Sequence, residues 1–94
     1  MAESSDNGRL SASELGEAAL VTIRELTGYT PEAVTALEWD DDRDLWRITV
    51  DVLELSRIPS TTDVIASYVV QLDEQGTLRG YRRTHRFQRG QVQE

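Results

Sequence analysis

A chain of 94 residues carrying 17 acidic and 10 basic side chains is long enough for one domain with a thin reserve of buried area. It has no cysteine, which excludes disulfides, thiolate nucleophiles and Cys-based zinc sites and suits a reducing cytoplasm. No basic stretch leads into an apolar one near Met1 and no apolar run reaches membrane-spanning length, so the expectation is a cytoplasmic protein with no signal peptide and no membrane partner.

The formal net charge of −7 is segregated along the chain. Residues 1–74 hold five arginines against sixteen acids, whereas residues 75–94 hold five arginines against Glu94 alone. All the basic residues are arginine, whose planar fork suits carboxylate partners.

Residues 1–10 are polar and are expected to be a disordered tail, with a second at 90–94. Ser11 and Glu14 form a capping box, and Leu10 and Leu15 a hydrophobic staple, at the start of a helix over Ala12 to Thr27. Leu15, Ala19, Ile23 and Leu26 lie on its apolar stripe, with Leu20 and Val21 off it, and Gly28 ends it. Thr30-Pro31-Glu32 reads as a cap with proline at the first helical position, opening at most one turn before a short strand from Thr35 to Trp39. The acidic turn Asp40 to Asp44 has carboxylates at calcium-loop spacing, but Leu45 stands where that loop needs glycine, so no metal is expected.

Leu45 to Leu55 alternates strongly, with Trp46, Ile48, Val50 and Val52 on one face. The alternation breaks at Leu53 and Leu55, which predicts a bulge or an apolar strip on the outer side. In the loop that follows, Pro59 holds Ile58 extended.

Asp63 to Phe87 reads as a long hairpin. Val64, Ala66, Tyr68, Val70 and Leu72 share one face of its first arm. Asp73 and Gly76 make the turn. The simplest register sets Leu72 opposite Leu78, Val70 opposite Gly80 and Tyr68 opposite Arg82, with the Tyr68 ring beside the gap at Gly80. It also puts His85 on one face with Tyr81, Arg83 and Phe87. The predicted fold class is α+β, one N-terminal helix packed on an antiparallel sheet of three or four strands within residues 11–89. Trp46, Ile48, Val50, Tyr68, Val70 and Leu72 are expected to face Leu15, Ile23 and Leu26.

Enzyme chemistry lacks its parts, with one histidine and no phosphate loop or paired carboxylates, so neither catalysis nor a cofactor is expected. A nucleic-acid module is disfavoured too. Arg79-Gly80-Tyr81 opens like an RNA-recognition motif, but Arg82, Arg83 and Thr84 break it, and sixteen acids repel a polyanion.

The order of residues adds what averages cannot. A strand from Trp46 to Leu55, the loop Arg57-Ile58-Pro59 followed by Asp63, the run Tyr68 to Asp73 with Gly76, and then Tyr81, Arg83, Arg86, Phe87 and Arg89 together resemble the gas vesicle protein O family over residues 12 to 89. Val69 stands where that family commonly has Glu, and Phe87 where it often has Tyr, so no role of those groups carries over. The resemblance implies a non-enzymatic accessory protein of gas vesicle formation, cytoplasmic or vesicle-associated, whose partners are other gas vesicle proteins. Trp46, Pro59, Tyr68, Asp73, Gly76, Tyr81 and Phe87 are its structural positions.

The candidate partner-binding residues are Arg82, Arg83, Arg86 and Arg89 with Arg57 and the apolar Leu53 and Leu55. The competing reading of the arginines is a set of intramolecular pairs to Glu54, Asp51 or the Asp40 to Asp44 turn. A homodimer is one way to cover leftover apolar surface. Alternatives for the whole are a small antiparallel-sheet domain of ligand-binding or inhibitor type, or a weak nucleic-acid-binding regulator of expression that uses the C-terminal arginines.

Overall fold

The computed structural model describes residues 10–90, and the expected tails lie outside them apart from Leu10 and Gly90. Helix α1 spans Ala12–Thr27. The Ser11 hydroxyl accepts from the Glu14 backbone N–H, and Glu14 Oε1 accepts from the Ser11 N–H at 2.8 Å, so two donors that a helix start leaves unpaired are satisfied. Gly28 closes the other end in the left-handed region, φ 78°.

Four strands follow, β1 (Thr30–Asp40), β2 (Leu45–Leu55), β3 (Val64–Leu72) and β4 (Leu78–Gln88), with one 3-10 turn at Ser60–Thr62. Each pairs antiparallel with its chain neighbour, in the order β1-β2-β3-β4. This is the expected helix-on-sheet α+β fold, with four strands.

The helix lies across β1, β2 and β3 and leaves β4 almost wholly outside its footprint. Leu15, Ala19 and Ile23 pack on Ile48, Val50, Val52, Ala66, Tyr68, Val70 and Leu72. Leu26 is a correction: expected in the core, it is 44% exposed. Trp46 is only partly buried, at the margin of that core.

Two further expectations are corrected. The chain at Thr30-Pro31-Glu32 makes no helical turn, because β1 starts there and runs the full length of β2. Its pairing slips once between Pro31 and Ala33 and again between Val34 and Ala36. The β3–β4 register also differs from the simplest one: Leu72 does face Leu78, but Gln71 faces Gly80, Val70 faces Tyr81 and Tyr68 faces Arg83. A Cβ on Gly80 would meet Gln71 Oε1 at 3.1 Å, so the glycine makes room for Gln71 and not for Tyr68. Tyr68 stacks instead near Tyr81, with ring centroids 6.3 Å apart. At Leu53 and Leu55 the broken alternation is the bulge, one of the two expected alternatives: Leu53 pairs with Ile65 and Leu55 with Val64, on opposite faces, so the two form no common strip.

The turns use their side chains as acceptors. Asp73 Oδ1 takes the N–H groups of Gln75 and Thr77, and Gly76 has φ 87°. Any Cβ at Gly76 would lie 2.6 Å from Leu10 Cδ1, so this glycine also lets the residue ahead of the helix close onto the turn.

Asp40 caps the other turn, accepting from the N–H groups of Asp42 and Arg43 and from Arg47 Nη1. Burial pushes its pKa up, but those hydrogen bonds outweigh it and hold the carboxyl below its ordinary value. A depressed folded-state pKa gives stability that is complete above the unfolded value of about 3.9 and is lost as pH falls through the folded value. Melting curves of the protein and of Asp40→Asn are therefore expected to differ near neutral pH and to converge in strong acid.

Candidate functional site: the β4 margin

Strand β4 carries an extra residue, Thr84, between Arg83, which pairs with Tyr68, and His85, which pairs with Ser67. An inserted residue reverses the alternation beyond it. Arg83 and Arg86 therefore share the helix side of the sheet, while His85 and Phe87 share the outer side with Ile65 and Ser67. His85 thus keeps company with Phe87 but not, as expected, with Tyr81 and Arg83.

The bulge in β2 places Glu54 to meet these arginines. Its carboxylate is 7% exposed and accepts Arg83 Nη1 at 2.8 Å and Arg86 Nε at 2.6 Å. Ala66, opposite both Val52 and Arg86, gives the two side chains a low crossing over β3. Charge from Glu54 adds to burial in raising the Tyr68 pKa.

Arg89 is tied at the end of the sheet. Its Nε reaches Asp63 Oδ2 at 3.1 Å, and its Nη1 and Nη2 grip Glu32 at 3.2 and 2.7 Å. The hydrogen bond to Glu32, then that to Asp63, raises its pKa against the opposing effect of desolvation. Its backbone N–H also donates to the Asp63 carbonyl at 2.8 Å.

Of the candidate arginines, three are thus paired within the chain. Of the other proposed acceptors, Asp51 takes the Ser67 hydroxyl instead, at 2.6 Å, and Asp40 of the acidic turn takes Arg47. Arg82 stands on the outer face opposite Val69 and is exposed. Arg57 donates its N–H to Asp63 Oδ1 and leaves its guanidinium exposed.

The structure also brings together groups that sequence left apart. Leu53, Ile65 and Phe87 form a cross-strand apolar row on the outer, helix-free face. Arg57, Val64, Arg86, Phe87 and Gln88 line an open depression of about 300 Å³. Beside it Leu55 is half exposed, and Ile58, at the loop tip, is 99% exposed. Ile58 was not singled out as a contact residue, although it sits inside the Arg57-Ile58-Pro59 stretch that carries the resemblance. Pro59 follows it through a cis peptide bond.

Removing the Glu54 charge tests how much the arginine pairs matter to the fold. Glu54→Gln is expected to cost about 1 kcal/mol, since both arginines are about half exposed and water screens them. That corresponds to a melting temperature lower by roughly 4–8 °C in a domain of this size. A double-mutant cycle with Arg83→Ala and Arg86→Ala should recover a non-additive share of that loss.

Among the described residues no group of three or more His, Cys, Asp or Glu is disposed to hold a metal ion, and no helix is long and apolar enough to cross a membrane. No solved structure matches the chain. The chain is 46% identical over 72 residues to gas vesicle protein O of a Streptomyces species, an alignment covering 77% of this chain and 55% of that one. It is 34% identical over 71 residues to gas vesicle protein O of Haloferax mediterranei, covering 76% and 50%, and 39% identical over 71 residues to gas vesicle protein O1 of Halobacterium salinarum, covering 76% and 58%. The chain spans about half the length of these relatives. The family model described as gas vesicle synthesis protein GvpO matches residues 1–93, and the chain belongs to the GvpO family.

Proposed function

We propose that this protein takes part in gas vesicle formation as a non-enzymatic accessory, working in the cytoplasm at the vesicle through contacts with other gas vesicle proteins. The observation that carries this reading is the margin the helix leaves uncovered. There, Ile58 at the loop tip and Leu55 are exposed near the open depression lined by Arg57, Val64, Arg86, Phe87 and Gln88, and Arg82 stands exposed farther along the outer face of β4, opposite Val69. An apolar patch rimmed by cations supplies affinity from its centre and orientation from its rim. The arginines paired to Glu54, Asp63 and Glu32 brace that margin, and Arg82 and Arg57 are the ones turned to a partner.

The test is deletion and complementation in a vesicle-forming host, scoring light scattering and shell-gene transcript in parallel. Ile58→Asp with Arg82→Glu changes exposed side chains and is expected to leave stability within about 0.5 kcal/mol while reducing vesicle formation. Normal vesicles in the deletion strain would overturn the reading. Loss of transcript alone would move the role to expression.

A further inference from the structure

Both tryptophans of the chain lie at the opposite end of the sheet from this margin. In an antiparallel meander the β1–β2 and β3–β4 turns share one end, and the Ser56–Thr62 loop and the end of β4 share the other. Strands of 11 residues separate the two by about 35 Å.

Trp39 and Trp46 face each other across β1 and β2 on the helix side, ring centroids 5.3 Å apart and edge to face. With Leu10, Asp41, Asp44 and Glu74 they line an open groove of about 440 Å³. Asp41 Oδ1 accepts the Trp39 indole N–H at 2.9 Å, which fixes that ring. Asp44 occupies the left-handed region at φ 55° and has no ion pair among the described residues. Among the described residues no basic one lines the groove. Its neighbours Arg47 and Arg79 are turned to Asp40 and Asp73.

We propose that this groove receives an arginine or lysine side chain from a basic segment of a partner protein. The inference rests on the accessory reading for its biological use, though not for its physical basis. An aromatic wall offers a cation the negative faces of its rings, and the Asp41 and Asp44 carboxylates at the mouth supply charge and hydrogen-bond acceptors. A bare metal ion is a poorer match, because the carboxylates do not converge on a point. A nucleic acid is repelled by the same carboxylates. The positive end of the nearby helix is already met by Ser11 and Glu14. Since the groove and the β4 margin lie at opposite ends, one molecule can hold two partners at once, a basic segment at one end and an apolar surface at the other.

Because the groove contains both tryptophans, intrinsic fluorescence reports on it directly. The purified chain is titrated with a capped Gly-Arg-Gly-Arg-Gly peptide, its lysine counterpart and a Gly-Glu-Gly-Glu-Gly control. The basic peptides are expected to give a saturable change that weakens with salt, and the acidic one none. Asp41→Asn with Asp44→Asn keeps the indole acceptor and a residue that tolerates positive φ, and is expected to weaken binding about ten-fold or more with the melting temperature retained. Asp44→Asn alone serves if the pair proves unstable.

No saturable change at millimolar peptide, an equal response to the acidic peptide, or undiminished binding by the Asn variants would each overturn the proposal. So would self-association of the chain that those variants abolish, which would assign the groove to a second copy. Vesicle complementation by the same variants is read separately. Peptide binding together with normal vesicles in the deletion strain would sink the accessory reading alone, and a vesicle phenotype in that strain without peptide binding would sink the groove alone.

Discussion

Replacing Ile48 with alanine is expected to remove about 2–5 kcal/mol of stability, the largest loss among the changes considered. Ile48 is fully buried at the centre of the sheet, between Leu37 on β1 and Val70 on β3, where α1 crosses. Three strands and a helix hold the walls of the resulting void apart, so little relaxation can fill it. A domain of this size has roughly 4–12 kcal/mol in all, so the variant should lose a large share of its stability. Urea titration followed by circular dichroism checks it: the midpoint should fall while the slope stays fixed. Thr49→Ala is the control, one residue along on the outer face opposite Ala36 and Val69, where a change of under about 1 kcal/mol is expected. Equal losses at the two positions would mean that the assignment of faces is wrong.

That assignment was legible because β2 and β3 alternate in sequence as they do in space. The helix was legible to the residue at both ends because its stops are chemical, with Ser11 and Glu14 at one and Gly28 at the other. Strand β1 was not. Its helix-side residues Pro31, Val34, Leu37 and Trp39 are spaced three, three and two apart. Two bulges produce that spacing, and it imitates a helical turn where a period of two was sought. A proline at the first position, allowed at the start of an edge strand, strengthened the imitation.

Strand β4 failed for a different reason. As an edge strand outside the helix's footprint it has no buried face, and so no hydrophobic pattern to fix register. Bulges at Arg79 and Thr84 then shifted the pairing twice. The run of arginines was visible as charge, but which of them are turned inward depends on the Thr84 bulge, and that bulge has no sequence mark. Glu54 was named among the acceptors, yet its grip on both Arg83 and Arg86 follows from the β2 bulge, whose trace was the lost alternation at Leu53 and Leu55. The tryptophan groove had a visible sign, Trp39 and Trp46 placed symmetrically about an acidic turn, but only the hairpin register makes the two rings neighbours.

The end of the sheet near the proposed docking surface depends on one side chain, and Asp63→Ala is expected to unfasten it. Asp63 is buried, and its two carboxylate oxygens serve two different segments, the Arg57 N–H of the preceding loop at 2.8 Å and Arg89 Nε beyond β4 at 3.1 Å. Truncation leaves a backbone donor and a guanidinium without that partner, although Arg89 keeps Glu32. Hydrogen bonds to a charged group set the loss at about 2–3 kcal/mol, or a melting temperature lower by roughly 10–20 °C. Asp63→Asn retains an acceptor for Arg57 while losing the charge that Arg89 meets, and should fall between the two.

The pair of variants also separates bracing from docking. If the margin matters only as part of a stable fold, vesicle formation well below the melting temperature should be normal for both. If the margin docks a partner, Asp63→Ala should lose vesicles at temperatures where it remains folded, because the loop that carries Arg57 and Ile58 is no longer held. Asp63→Asn, which keeps that loop tied, should then retain more vesicles than Asp63→Ala.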